Sequence, residues 1–247
     1  MKTILMIALL GLAAVVAAVP ADTVQIDDVE HTSVFACSGR RRYRLTIDYS
    51  WSGMTHPNAY PPNGVFSPLV SASHSSFYTM WAPTDRPSRG VEQVAETGNT
   101  AILLRELNRE LGRDVRDIES EDAPVSGTST VRQVLKLDAG RSVISAISML
   151  FPSPDWFTGV DLIDMCDQET GEWIPRRTGN LSVWDAGTDR GRDFDSPNSP
   201  NDNIQPIRSI LATRFDGIPV GTWTIEELQP NGIVSGVASA MSQTSNI

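Results

Sequence analysis

Short strand-like runs, each closed by a cluster of turn residues, constrain this chain more than any other feature. RRYRLTIDYSW (41–51) alternates: Tyr43, Leu45, Ile47 and Tyr49 point one way, Arg44, Thr46 and Asp48 the other. That period of two marks a half-buried strand. Further strands are expected at TVRQVLKLD (130–138), RSVISAISMLF (141–151) and TGVDLIDM (158–165). EWIPRRTGNLSVW (172–184) reads as a pair of short strands, PIRSILATR as one more, and GTWTIEELQP as the last. Pro- and Asn-rich MTHPNAYPPNG (54–64) is a loop, and 65–81 reads as short irregular strands and turns. Residues 115–129 are polar and read as turns. Many short strands with turns between them predict an all-β fold, an antiparallel β-sandwich.

One region breaks the pattern. GVEQVAETGNTAILLRELNREL (90–111) has a helical period: Val91, Val94 and Ala95 share a face, Gly98 interrupts, and Leu103, Leu104, Leu107 and Leu111 form a second stripe. Thr100 is the expected N-cap of the second segment. The sandwich therefore carries a short helical insertion. With no internal repeat and no linker, residues 37–228 are expected to form one domain, and 229–247, rich in Gly, Ser and Ala, a flexible tail.

The first 21 residues read as a secretory signal peptide. Lys2 precedes an uncharged apolar run, Ile4 to Ala18, and small residues follow at Ala17, Ala18 and Ala21. The run is about 15 residues, short of the roughly 20 that span a bilayer; a retained anchor is the alternative. No later stretch is apolar enough to be transmembrane, so a secreted protein is expected. A net charge of −10 argues against a nucleic-acid partner. In a secreted chain the two cysteines, Cys37 and Cys166, most simply form one disulfide. It closes a loop of about 130 residues, contributing about 5 kcal/mol in the chain-entropy model.

Acidic loops are the candidate site. VWDAGTDRGRDFDSPNSP places Asp185, Asp189, Asp193 and Asp195 along a chain that Gly187 and Gly191 let curl. Several carboxylates on a turning loop suit Ca²⁺, which takes six to eight oxygens. The spacing is not that of an EF-hand. A second loop must contribute, and Asp155, in the SPDW turn after 141–151, is the obvious donor. The plain alternative is an exposed acidic loop with Asx-turns. A catalytic alternative, a secreted glycosidase-like hydrolase, would use Asp155 and Asp185 as its acid pair. The histidines, His31, His56 and His74, match no hydrolase or zinc motif, and His74 reads as a packed or surface residue. Asn180 heads an N-glycosylation sequon, NLS. The six tryptophans read as packing anchors.

Three of these phrases carry a resemblance. FSPLVSASHSSFYTMW, PSPDWFTGVDLIDMC and VWDAGTDRGRDFDSPNSP, with GVEQVAETGNTAILLREL, resemble the spondin domain family of the F-spondin and mindin type, in family order from about Cys37 to Glu227. The resemblance implies a C2-like sandwich of extracellular-matrix proteins with a bound divalent cation, taken as calcium. Its metal carboxylates map onto Asp155, Asp185 and Asp189, and its cysteines onto Cys37 and Cys166; Asp193 and Asp195 are extra acids. It implies matrix or cell-surface adhesion, with an extracellular protein or glycan ligand, rather than catalysis. Family members also carry thrombospondin type 1 repeats, but both cysteines here are spoken for, so the activities of those repeats are not carried over. No motif carries over the integrin binding associated with mindin. A C2-like module docking on lipid through calcium is a third reading; it lacks the cationic or apolar loop tips such docking favours.

Overall fold

The computed structural model describes residues 37–229. The expected leader (1–21), the polar lead-in up to residue 36 and all of the expected tail but Gln229 lie outside the described residues. The elements run β1 (Arg40–Tyr49), β2 (Val65–Phe66), β3 (Val70–His74), α1 (Arg89–Thr97), α2 (Ala101–Glu110), β4 (Val115–Ser120), β5 (Val125–Ser126), β6 (Thr130–Asp138), β7 (Val143–Phe151), β8 (Trp156–Asp164), β9 (Arg176–Asn180), β10 (Trp184–Asp185), β11 (Arg208–Ser209), α3 (Leu211–Arg214) and β12 (Gly221–Glu227).

Two antiparallel sheets form. The smaller has the order β6-β1-β12-β9. The larger runs β11-β10-β8-β7; beyond β7 both β2 and β3 pair with it, and β5 and β4 lie outside them. The alternation of β1 puts Tyr43, Leu45 and Ile47 into the space between the sheets. There they meet Leu135 of β6, Ile225 of β12, and Ile144, Ala146, Leu150, Trp156 and Val160 of β7 and β8. Each such aliphatic side chain, taken out of water, contributes about 1.5–3 kcal/mol. The all-β, two-sheet expectation holds.

Strand β7 is buried from Val143 to Leu150 because both its faces are covered. Its second face, with Val70, Ala72 and Phe157, packs on the helices through Val91, Val94, Ala95, Leu103 and Leu107. That double burial is why VISAISML is so apolar or small throughout. The Ser88 hydroxyl caps α1 by accepting the Val91 N–H at 3.2 Å, and Gly98 ends it at φ 69°.

Four local expectations need correction. Residues 115–129 hold two strands, β4 and β5, not turns alone. PIRSILATR gives only the two-residue β11 and then the helical turn α3. Thr100 makes no side-chain cap; the Asn99 side-chain oxygen accepts the Ala101 N–H instead, at 2.9 Å. Leu111 is half exposed and falls outside the buried stripe.

The Cys37–Cys166 disulfide is formed, with Cα atoms 5.8 Å apart. It links the segment leading into β1 of the small sheet to the end of β8 in the large one. Trp51, Trp81 and Trp156 are buried, as anchors should be. His74 is fully buried between the Ser75 carbonyl (2.8 Å) and the Ser145 hydroxyl (2.9 Å).

Candidate metal centre

Strand pairing brings the two acidic segments together. Strand β10 pairs with β8 in a register that sets Asp185 opposite Trp156 and Trp184 opposite Phe157. Asp155 precedes Trp156 in a turn whose Ser153 hydroxyl accepts the Trp156 N–H at 3.1 Å. Across the junction the Ala186 N–H donates to the Asp155 carbonyl at 3.1 Å. Residues 30 apart in sequence thus become neighbours through ladder bonds.

The chain after Asp185 then curls tightly. Gly187 adopts φ 76°, and a Cβ there would lie 2.5 Å from the Gln205 carbonyl oxygen. The Asp185 Oδ1 accepts the Gly187 N–H at 2.9 Å. The turn aims the next two amides back at Asp155: its Oδ2 accepts the N–H of Thr188 at 2.8 Å and of Asp189 at 3.0 Å. Asp189 accepts the N–H of Gly191 and of Ser199, both at 2.6 Å. Phe194, inside the acidic loop, packs against Trp51, Trp156 and Phe215 and pins the loop to the core.

All three sequence-selected acids are therefore buried at one rim. Asp155 is 0% exposed, and Asp185 and Asp189 are each 5% exposed. Asp193 and Asp195 are exposed, and Asp193 pairs with Arg214 at 3.0 Å. Burial pushes the Asp155 carboxyl up to about 7, with Asp185 and Asp189 adding repulsion and the two amides opposing it. Its Oδ1 is buried without a hydrogen-bond partner.

Two groups at the rim escaped the sequence reading. Arg208 of β11 donates to Asp185 Oδ2 at 2.9 Å, and this contact raises the guanidinium pKa further. Glu96 of α1 lies beside Thr188 and Asp189. Burial raises its pKa, and Glu92 and Asp189 add to the rise. Nothing in the helical spacing of 90–107 marks Glu96 as a rim residue.

Among the described residues, no three His, Cys, Asp or Glu side chains converge closely enough to hold a metal ion as they stand. Asp155 Oδ2 is turned to the 188–189 amides and Asp185 Oδ2 to Arg208. The donor chemistry nonetheless fits a hard cation: every group is oxygen, the acids repel one another, and Asp155 Oδ1 is an orphan. Asn180 is exposed at the end of β9.

Residues 41–216 match the family model Spondin_N. The chain belongs to the Spondin_N family. Spondin-2 of Homo sapiens is 36% identical over 183 residues, covering 70% of this chain and 55% of that protein. Spondin-1 of Rattus norvegicus is 32% identical over 196 residues, covering 75% of this chain and 24% of that protein. Spondin-1 of Xenopus laevis is 35% identical over 185 residues, or 71% and 22%. The chain spans about a quarter of the length of the Spondin-1 relatives and about half that of Spondin-2. Asp155, Asp185, Asp189, Arg208 and Glu96 all fall within the Spondin_N match.

Proposed function

We propose that this chain is a secreted binding module of the extracellular matrix or cell surface, braced by a calcium ion at the acidic rim. The observation that carries the reading is Asp155 Oδ1, buried and unpartnered beside two other buried carboxylates. A buried charge without a partner is costly. Asp155, Asp185 and Asp189 would hold the cation, whose charge would offset their mutual repulsion. The chain's own residues do the rest. The Gly187 turn and the Phe194 anchor fix where the acids stand, and Arg208 balances part of their charge in the cation's absence. Membership of the Spondin_N family supports an adhesive rather than a catalytic role.

Secretion agrees with the expected leader, and no helix among the described residues is long and apolar enough to cross a membrane. The exposed side chain of Asn180 suits a glycan. A hydrolase built on Asp155 and Asp185 is disfavoured because both acids are buried, Asp155 completely, and a glycosidic oxygen needs access to its acid. The ligand is expected to be an extracellular protein or glycan.

The test is thermal melting of residues 22–247 with calcium or chelator, alongside Asp185→Asn, plus capture on immobilised matrix. Wild type should melt higher in calcium, and the variant should lose most of that shift. Identical melting curves for wild type in calcium and in chelator would remove the cation. Failure to bind any matrix or cell-surface preparation would remove the adhesive role.

A further inference from the structure

The chain carries a net charge of −10, yet one face of the molecule is basic. The outward side chains of the small sheet follow from its register. Arg40 stands across from Asp138, Arg42 from Lys136, Arg44 from Val134 and Glu226, Thr46 from Arg132, and Arg176 from Glu226. Six of the 20 Lys and Arg residues thus lie on a four-stranded face: Arg40, Arg42, Arg44, Arg132, Lys136 and Arg176. Two of its three acids are engaged by cations; the third, Asp48, accepts from the Thr130 hydroxyl at 2.6 Å. Glu226 accepts from Arg44 at 2.6 Å, and Asp138 takes both Arg116 (3.1 Å) and Arg141 (2.6 Å). Among the described residues Arg40, Arg42, Arg132 and Arg176 have no carboxylate partner. Lys136 reaches Asp117 only at 3.6 Å.

Arg42 opposite Lys136 is a like-charge cross-strand pair, which destabilises a sheet unless an anion lies between. Beside that pair opens a groove of about 570 Å³, lined by five cations, Arg40, Arg41, Arg42, Arg116 and Lys136, and one acid, Glu227, which Arg41 engages at 2.9 Å; Leu228 and Gln229 complete it. We propose that this face and its groove bind a linear sulfated polysaccharide. The remaining outward residues favour that occupant. Exposed Thr130, Thr178, Thr222 and Asn180, with half-buried Thr224, offer hydroxyls and an amide but no aromatic anchor. Protein interfaces centre on buried aromatic and aliphatic anchors, and membrane docking needs an apolar face to insert. A flat, hydrated, cationic surface instead suits a chain of oxyanions, which arginine forks grip in pairs. The residues involved are not those of the acidic rim, so this binding needs no calcium.

The test is calorimetric titration of residues 22–247 with a size-defined heparin oligosaccharide, in calcium and in chelator. The paired variant Arg42→Glu/Lys136→Glu should bind about tenfold more weakly and show a shallower dependence on salt. The charge-matched control on the exposed side of α2, Arg105→Glu/Arg109→Glu, should bind as wild type. If the first variant fails to fold, Arg132→Gln/Arg176→Gln should still weaken binding about threefold. The proposal is overturned if wild type does not bind, if both charge-reversal pairs lose affinity equally, or if chelator abolishes binding. It is also overturned if desulfated heparin, single-stranded DNA or phosphatidylserine vesicles bind as tightly.

Discussion

One carboxylate oxygen of Asp155 accepts the backbone N–H of Asp189 at 3.0 Å, across 34 residues of chain. The same oxygen takes the Thr188 N–H at 2.8 Å, so a single buried side chain ties the SPDW turn to the acidic loop. The other oxygen of Asp155 is left over.

That division of labour makes Asp155→Asn informative. Asparagine keeps an oxygen to accept the two amides and removes the charge that Asp185 and Asp189 repel. In chelator at pH 8 the variant should melt no lower than wild type. In calcium it should lose the upward shift. A variant that melts far lower in chelator would show that the charge itself is needed by the fold.

Arg208 occupies the Asp185 Oδ2 that the proposed cation would need. Its side chain is 71% exposed, so the contact is weakly held. Arg208→Gln should bind calcium about two- to fivefold more tightly, the effect of losing one partly solvated like charge. Titration calorimetry of the two proteins at equal ionic strength measures it, and unchanged affinity would place the ion away from Asp185.

Gly187 permits the turn that aims the 188 and 189 amides. Alanine there meets both a positive φ and a carbonyl oxygen at 2.5 Å. Gly187→Ala should cost about 1–3 kcal/mol and blunt the calcium response as well. Denaturant unfolding with and without calcium would separate the two effects.

His74 should make the domain acid-sensitive. Burial lowers its pKa, while the Ser75 and Tyr78 carbonyls and Asp114 oppose the shift only in part. The unfolded chain therefore binds a proton more readily, and stability falls as the pH drops below about 6.5. Asp155, pushed up to about 7, gains stability as the pH falls through the same window, so the comparison is made in the Asp155→Asn background. That protein should melt lower at pH 5.5 than at 7.5, and adding His74→Asn, which can keep the bond to Ser75, should shrink the drop; equal drops in both proteins would assign the sensitivity elsewhere.

The strands that build the core were readable because their alternation is written in large apolar residues, as at Tyr43, Leu45 and Ile47. Strand β4 was not. VRDIES buries only Val115 fully, because β4 is an edge strand paired with β3 alone and needs little apolar surface. Strand β10, two residues long, leaves no period to read. The acids 155, 185 and 189 were legible as chemistry and as a family phrase. Their packing at one rim depends on the β8–β10 register, which no single stretch encodes. Arg208 and Glu96 come from β11 and α1, whose local sequences give no hint of the acids they face. Phe194 is one apolar residue in a polar loop, and its partners Trp51 and Phe215 lie far away in sequence.

The β8–β10 ladder has a consequence for how the folded molecule can be checked. Neighbouring side chains on a strand face opposite ways, so sliding β10 by one position would exchange Asp185 with Trp184. The acid would turn away and an indole would take its place. A mispaired isomer of this chain would therefore lose the proposed calcium response while keeping nearly the same strand content, and that response, once measured for the wild type, would certify correct assembly where spectroscopic strand content alone would not.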